Sequence, residues 1–118
     1  MTNPFRGELE IKLNRQVYKT RMTVNSCIQA EQKVGCSLIK LTGELSEGNL
    51  TLSQMLHILH PALRGGGNNM TADEVGELIY QAGVGQSMVA VGEVLANVLT
   101  GNSEEDEEEK KEDDPALI

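Results

Sequence analysis

Apolar and charged residues alternate strictly at the start of the chain: Leu9, Ile11 and Leu13 fall between Glu8, Glu10 and Lys12. A period of two marks a strand with one buried face. Asn14-Arg15-Gln16 predicts a turn. A return strand over 17–22 then places Tyr18, Thr20 and Met22 on one side and Lys19 and Arg21 on the other. A lone hairpin is marginal in water, so its apolar face needs cover from the segments that follow or from a second subunit.

From Thr23 the period becomes helical. Val24, Cys27, Ile28 and Val34 form one stripe expected to face inward, and Gly35 is placed to stop the helix. Ser37 can cap a short second helix with Leu38, Leu41 and Leu45 inward, ending near Gly48. Thr51-Leu52-Ser53-Gln54 has the capping-box form and opens a third helix with Leu52, Met55, Leu56, Leu59 and Leu63 on one face. Pro61 is expected to bend that helix or cut it short. Gly65-Gly66-Gly67-Asn68-Asn69 predicts a flexible connector. Thr71-Ala72-Asp73-Glu74 is a second capping box, leading a helix with Val75, Leu78, Ile79 and Ala82 inward. Gly83 and Gly85 punctuate the chain before a last helix from about Gln86 to Leu99, closed by Gly101. The fold class expected is α+β, mostly α: an N-terminal β-hairpin, about five short helices and an acidic tail.

Composition sharpens that outline. The chain has 118 residues, 39% hydrophobic but only 3% aromatic, so its core must be built from Leu, Ile, Val, Met and Ala. Residues 1–101 carry nine acids against eight bases, while residues 102–118 carry nine acids against Lys110 and Lys111. The division predicts one domain over 1–101 and a disordered, self-repelling tail over 102–118. A near-neutral domain with an acidic tail, and without a basic stripe interleaved with aromatics, argues against nucleic-acid binding. No apolar run approaches the roughly 20 residues needed to span a bilayer, and the opening Met1–Gly7 lacks the apolar core of a signal peptide. The expectation is a reduced, cytoplasmic protein.

Chemistry is hard to find in these residues. His57 and His60 are three apart on the third helix, but two imidazoles without an H-E-x-x-H pattern read as surface or helix-end residues. Cys27 and Cys36, nine apart, match neither a redox pair nor a zinc knuckle and read as buried structural thiols. The glycine triplet follows a helix and has no lysine after it, so it is no phosphate cradle. Glu74 and Glu77 are explained by capping and solvent exposure. No catalytic residue, metal ligand or cofactor is assigned, and the chain is expected to act by binding another protein.

The last helix offers the candidate surface. Val84, Met88, Val91, Leu95 and Val98 recur at spacings of four and three, an a/d stripe of about two heptads. Gly85 and Gly92, seven apart, form a ridge that a neighbouring helix could approach closely. Val84, Met88, Val91, Gly92, Leu95 and Val98 are the expected partner-binding residues. Packing within the chain's own domain is the other reading of the same stripe.

Several segments together resemble a known family. Arg6-Gly7-Glu8-Leu9-Glu10-Ile11, the Glu31…Gly35-Cys36-Ser37-Leu38 passage, Leu63-Arg64-Gly65, and Thr71-Ala72-Asp73-Glu74-Val75-Gly76-Glu77-Leu78-Ile79 stand in order and at suitable spacing. They are similar to motifs of small proteins encoded in the tail modules of phages and gene transfer agents, usually beside the tape-measure protein. That family is described both as tail tube-associated and as tail assembly chaperones. Arg15 stands where its hairpin turn often has glycine, and the acidic tail has no counterpart.

The resemblance implies a non-enzymatic tail assembly chaperone of the host-cell cytoplasm, binding the tape-measure protein or another tail protein, or a second copy of itself. The alternatives are a structural tail protein of the tube or its terminator and, in a different class, a regulatory protein-binding adaptor. Low aromatic content suits a releasable interface, since Trp and Tyr dominate tight hot spots.

Overall fold

The structure, a computed structural model, describes residues 8–100. Two strands, β1 (Glu8–Leu13) and β2 (Gln16–Arg21), are followed by five helices: α1 (Val24–Val34), α2 (Leu38–Ser46), α3 (Leu52–Gly65), α4 (Ala72–Ala82) and α5 (Val84–Leu99). The architecture is the α+β, mostly α one that the periodicities predict. The acidic stretch over 102–118 and the closing Gly101 lie outside the described residues.

The strands pair antiparallel, with Leu13 opposite Gln16 and Glu8 opposite Arg21. The turn is tighter than expected. It is the two-residue Asn14-Arg15, with φ of 52° and 68°, and Gln16 already belongs to β2. Positive φ at both positions is the primed turn whose twist matches that of the strands. Ile11 and Leu13 are buried on the inner face. Thr20, also buried, donates its hydroxyl to the Leu9 carbonyl at 2.8 Å, so it satisfies itself without leaving the sheet.

The caps predicted at Ser37, Thr51 and Thr71 are present, and Thr23 is a further one. Each accepts a backbone N–H from the third residue of its helix. Gln54 and Glu74 reach back to the N–H of Thr51 and Thr71, each at 2.9 Å, completing two capping boxes. α1 ends at Gly35, whose N–H donates to the Glu31 carbonyl. α2 and α3 end in Schellman closures, Asn49 N–H to Glu44 C=O at 2.8 Å and Asn68 N–H to Leu63 C=O at 2.9 Å.

Tertiary packing overrides several local expectations. α1 turns Ala30 to the core and leaves Val24 and Ile28 exposed, so its inward stripe is rotated from the one expected. The small residue lets α1 sit close against α3. In α3, Met55, Ile58, Leu59, Ala62 and Leu63 are buried, whereas Leu52 is exposed. Pro61 does not end α3, which runs on to Gly65.

The glycine triplet is not a loose connector. Gly65 is the last residue of α3 and Gly66 its cap, and a Cβ on either would overlap the backbone of β2, at the Arg21 and Lys19 carbonyls respectively. Asn68 seals the contact by donating Nδ2 to the Lys19 carbonyl at 2.7 Å. The triplet therefore serves close approach of helix end to strand edge, one of the uses that requires glycine.

Candidate functional site

α4 and α5 form an elbow, and an apolar groove lies beside it. The bend is 120°, and Gly83 alone makes it, with φ 96° and ψ 153°. Its N–H donates to the Ile79 carbonyl at 2.9 Å, and its own carbonyl accepts from the Ser87 N–H at 3.0 Å. The buried Ser87 hydroxyl reaches the same Ile79 carbonyl at 3.4 Å. One carbonyl thus ties both helices together, and α5 begins at Val84, two residues before the expected start.

The groove, about 510 Å³, is walled by Leu52 and Leu56 of α3, Ile79 and Tyr80 of α4, and Gly83 and Val84 at the elbow. Leu52 is 57% exposed, Tyr80 81% and Val84 47%. Gly76 and Gly83 carry no side chain into it, so it stays open between α3 and α4. The Ser53 hydroxyl and the Tyr80 phenol are the polar side-chain groups on its lining. The walls are otherwise apolar and suit the apolar face of another polypeptide.

The expected partner stripe on α5 is divided by the fold. Val91 and Leu95 are buried in the chain's own core, and Met88 and Val98 are half-buried against it. Gly92 accommodates Leu45 of α2: a Cβ there would lie 3.1 Å from the leucine Cδ2. At Gly92 the close approach is used by a helix of the same chain, while no atom lies within 4 Å of a would-be Cβ at Gly85. Of the six residues, Val84 alone lies on the groove. Tyr80 and Leu52 were not legible as surface contacts, because Leu52 sits one turn from the core residue Met55 and Tyr80 directly follows the core residues Leu78 and Ile79. The one available signal was Tyr80 itself, an aromatic in a chain with almost none.

A second, polar cleft of about 390 Å³ lies between α1 and α3, lined by Lys33, His57, His60 and Arg64 with Ser26 and Gln29. His60 Nε2 lies 3.1 Å from the Met70 carbonyl, which gives that ring a structural task between α3 and the start of α4. Among the described residues no three His, Cys, Asp or Glu side chains converge as a metal site. Cys27 and Cys36 are free thiols, half-buried where full burial was expected. Burial, and then the Glu31 carboxylate, push the Cys27 thiol up, so it is held protonated and unreactive. Glu31 also accepts the Leu38 N–H at 3.0 Å, bracing the joint between α1 and α2. No single described helix is long and apolar enough to cross a membrane.

A protein-family model described as phage tail tube protein, GTA-gp10, matches residues 6–101. Nothing among curated proteins or solved structures matches the chain.

Proposed function

The chain belongs to the phage tail tube protein, GTA-gp10 family, and from that premise we propose that it is a structural component of a phage-type tail, part of the tube or its terminus. The observation that carries this reading is the extent of the family match: residues 6–101 take in the hairpin, all five helices and the groove. A tail-related protein without a catalytic constellation works by contact. The groove of Leu52, Leu56, Tyr80 and Val84 supplies an apolar surface for a neighbouring tail protein, joined in the cytoplasm of the host cell where tails are put together.

The assembly-chaperone reading rests on a different observation. The described fold is dominated by helices and has a single two-stranded sheet, whereas a tube wall built by strand pairing calls for more strand. An open apolar groove also suits transient capture of a helical client such as the tape-measure protein.

One experiment separates the two. Tails or particles are purified from the producing cell and digested for mass spectrometry, with the cell extract as reference. A structural component is recovered at a fixed ratio to the other tail proteins. Abundance in the extract together with absence from finished particles would overturn the structural reading in favour of the chaperone.

A further inference from the structure

The two edges of the hairpin are finished differently. Along β2, Asn68 donates to the Lys19 carbonyl, and Gly65 and Gly66 press on the backbone of Arg21 and Lys19, so that edge is closed by the end of α3. β1 is packed by α5, and Gln86 accepts the Asn14 N–H at 2.7 Å beyond its end, but no comparable backbone contact closes the strand's outer edge at Glu10 and Lys12. Leu13 and Gln16 close a two-residue turn, so Leu13, Ile11 and Leu9 direct their N–H and C=O groups toward β2, and Lys12 and Glu10 direct theirs outward. The hydroxyl of Thr20 on the Leu9 carbonyl agrees with that parity. Among the described residues no hydrogen bond reaches the outward groups of Glu10 or Lys12, and both residues are exposed.

An open edge is a template for another strand, and a lysine in its middle ordinarily blocks pairing. Here the strand is complementary to itself. We propose that β1 pairs with β1 of a second copy of this chain, antiparallel about a two-fold axis at Ile11, giving a four-stranded sheet in the order β2-β1-β1-β2. In that register Glu10 of each copy stands opposite Lys12 of the other, and both are the residues whose backbone groups point outward. The register centred on Ile11 is the one among its neighbours without a like-charge pair. Sliding by one step of the pleat sets Glu10 against Glu10 between two Glu8–Lys12 pairs one way and Lys12 against Lys12 the other, and the next step sets Glu8 against Glu10. Within the hairpin, Glu10 also faces Lys19, so the outer face becomes a row of alternating charge, Lys19, Glu10, Lys12, crossing the dimer axis. Opposite charges directly across a sheet favour pairing and like charges oppose it. A closed two-fold pair uses up the edge on both copies and ends the assembly at two.

This dimer does not rest on the tail assignment, and its test does not involve particles. The mass of the full chain is measured in solution at low salt and micromolar concentration, with circular dichroism to confirm folding. The wild-type chain is expected as a dimer. Lys12→Glu, and separately Glu10→Lys, place like charges in both cross-strand pairs and each weakens self-association about tenfold or more. Mixing the two variants makes every pair complementary again, and a heterodimer forms although neither variant pairs with itself. In the wild-type dimer the Glu10 and Lys12 amides are protected from hydrogen exchange, a readout that needs no substitution. A monomeric wild type, a dimer indifferent to Lys12→Glu, unprotected Glu10 and Lys12 amides, or a mixture of folded variants that stays monomeric would each overturn the proposal.

Discussion

Gly66 stands against Lys19 backbone to backbone, so close that a single methyl at Gly66 would overlap the Lys19 carbonyl and the Thr20 Cα. The contact is what lets the end of α3 close the edge of β2. Its rigidity makes a prediction: neither partner is a flexible side chain, so the overlap cannot be relieved locally. Gly66→Ala is expected to cost roughly 2–4 kcal/mol and lower the melting temperature by on the order of 10 °C or more. Gly43, on α2 with nothing near its would-be Cβ, is the control. Gly43→Ala should stabilise by about 0.5–1 kcal/mol, the helix-propensity gain. Thermal unfolding of the two variants side by side checks both signs.

The stripe on α5 should respond by position. Leu95 is buried, so Leu95→Asp is expected to cost about 3–5 kcal/mol and to be seen as loss of folded protein in a denaturant titration. Val84, half out of the fold at the first turn of the same helix, tolerates Val84→Asp within about 0.5 kcal/mol, since an acid there also suits the helix dipole.

The groove can be separated from stability. Tyr80 is 81% exposed and forms part of the groove wall. Tyr80→Ser combined with Leu52→Ser is expected to leave the melting temperature within a few degrees of wild type, while sharply lowering the yield of complete tails in a complementation assay. Full yield from that double variant would remove the groove from the functional surface.

Cys27 gives a pH-dependent prediction. Its folded-state thiol is raised, first by burial and then by Glu31, so the unfolded thiol ionises before the folded one. Stability from this group is complete on the acid side of the ordinary thiol range and is lost as pH rises through the raised value. Alkylation of folded Cys27 at mildly alkaline pH should therefore run slower than in the denatured chain. Glu31→Gln removes the charge and keeps an acceptor for the Leu38 N–H, so it should speed alkylation without abolishing protection. The modified peptide is followed by mass spectrometry.

Removing residues 102–118 should leave the melting temperature nearly unchanged, because the buried apolar residues of the described fold all lie between Ile11 and Leu95. A fall of many degrees would place part of that segment against the domain.

Local rules made much of this protein legible. Alternation from Glu8 to Leu13 is a two-residue period that only a strand satisfies. The Thr-x-x-Gln and Thr-x-x-Glu boxes at Thr51 and Thr71 act within one helical turn, so the caps could be read before the fold was known. The inward faces of α2 and α4 were equally readable, since each carries one unambiguous run of large aliphatic residues. α1 was misread because periodicity weights Val24 and Ile28 above Ala30, whereas a close helix contact selects the small residue. The glycine triplet was misread for a related reason. Three glycines in a row look the same whether they give freedom or make room, and the difference lies in β2, more than forty residues away.

The sequence by itself determined the element order, the hairpin, the capped helix starts and the aliphatic core, because periods and caps are settled by neighbours within a turn or two. The tertiary structure decided where the surface lies. It took Val91 and Leu95 into the interior, set Gly92 against Leu45, left Leu52, Tyr80 and Val84 outside around the Gly83 elbow, and closed one sheet edge with the end of α3 while leaving Glu10 and Lys12 open. Burial is a property of what stands opposite a residue, and in a chain with several equally apolar stripes no local pattern says which of them will find a partner.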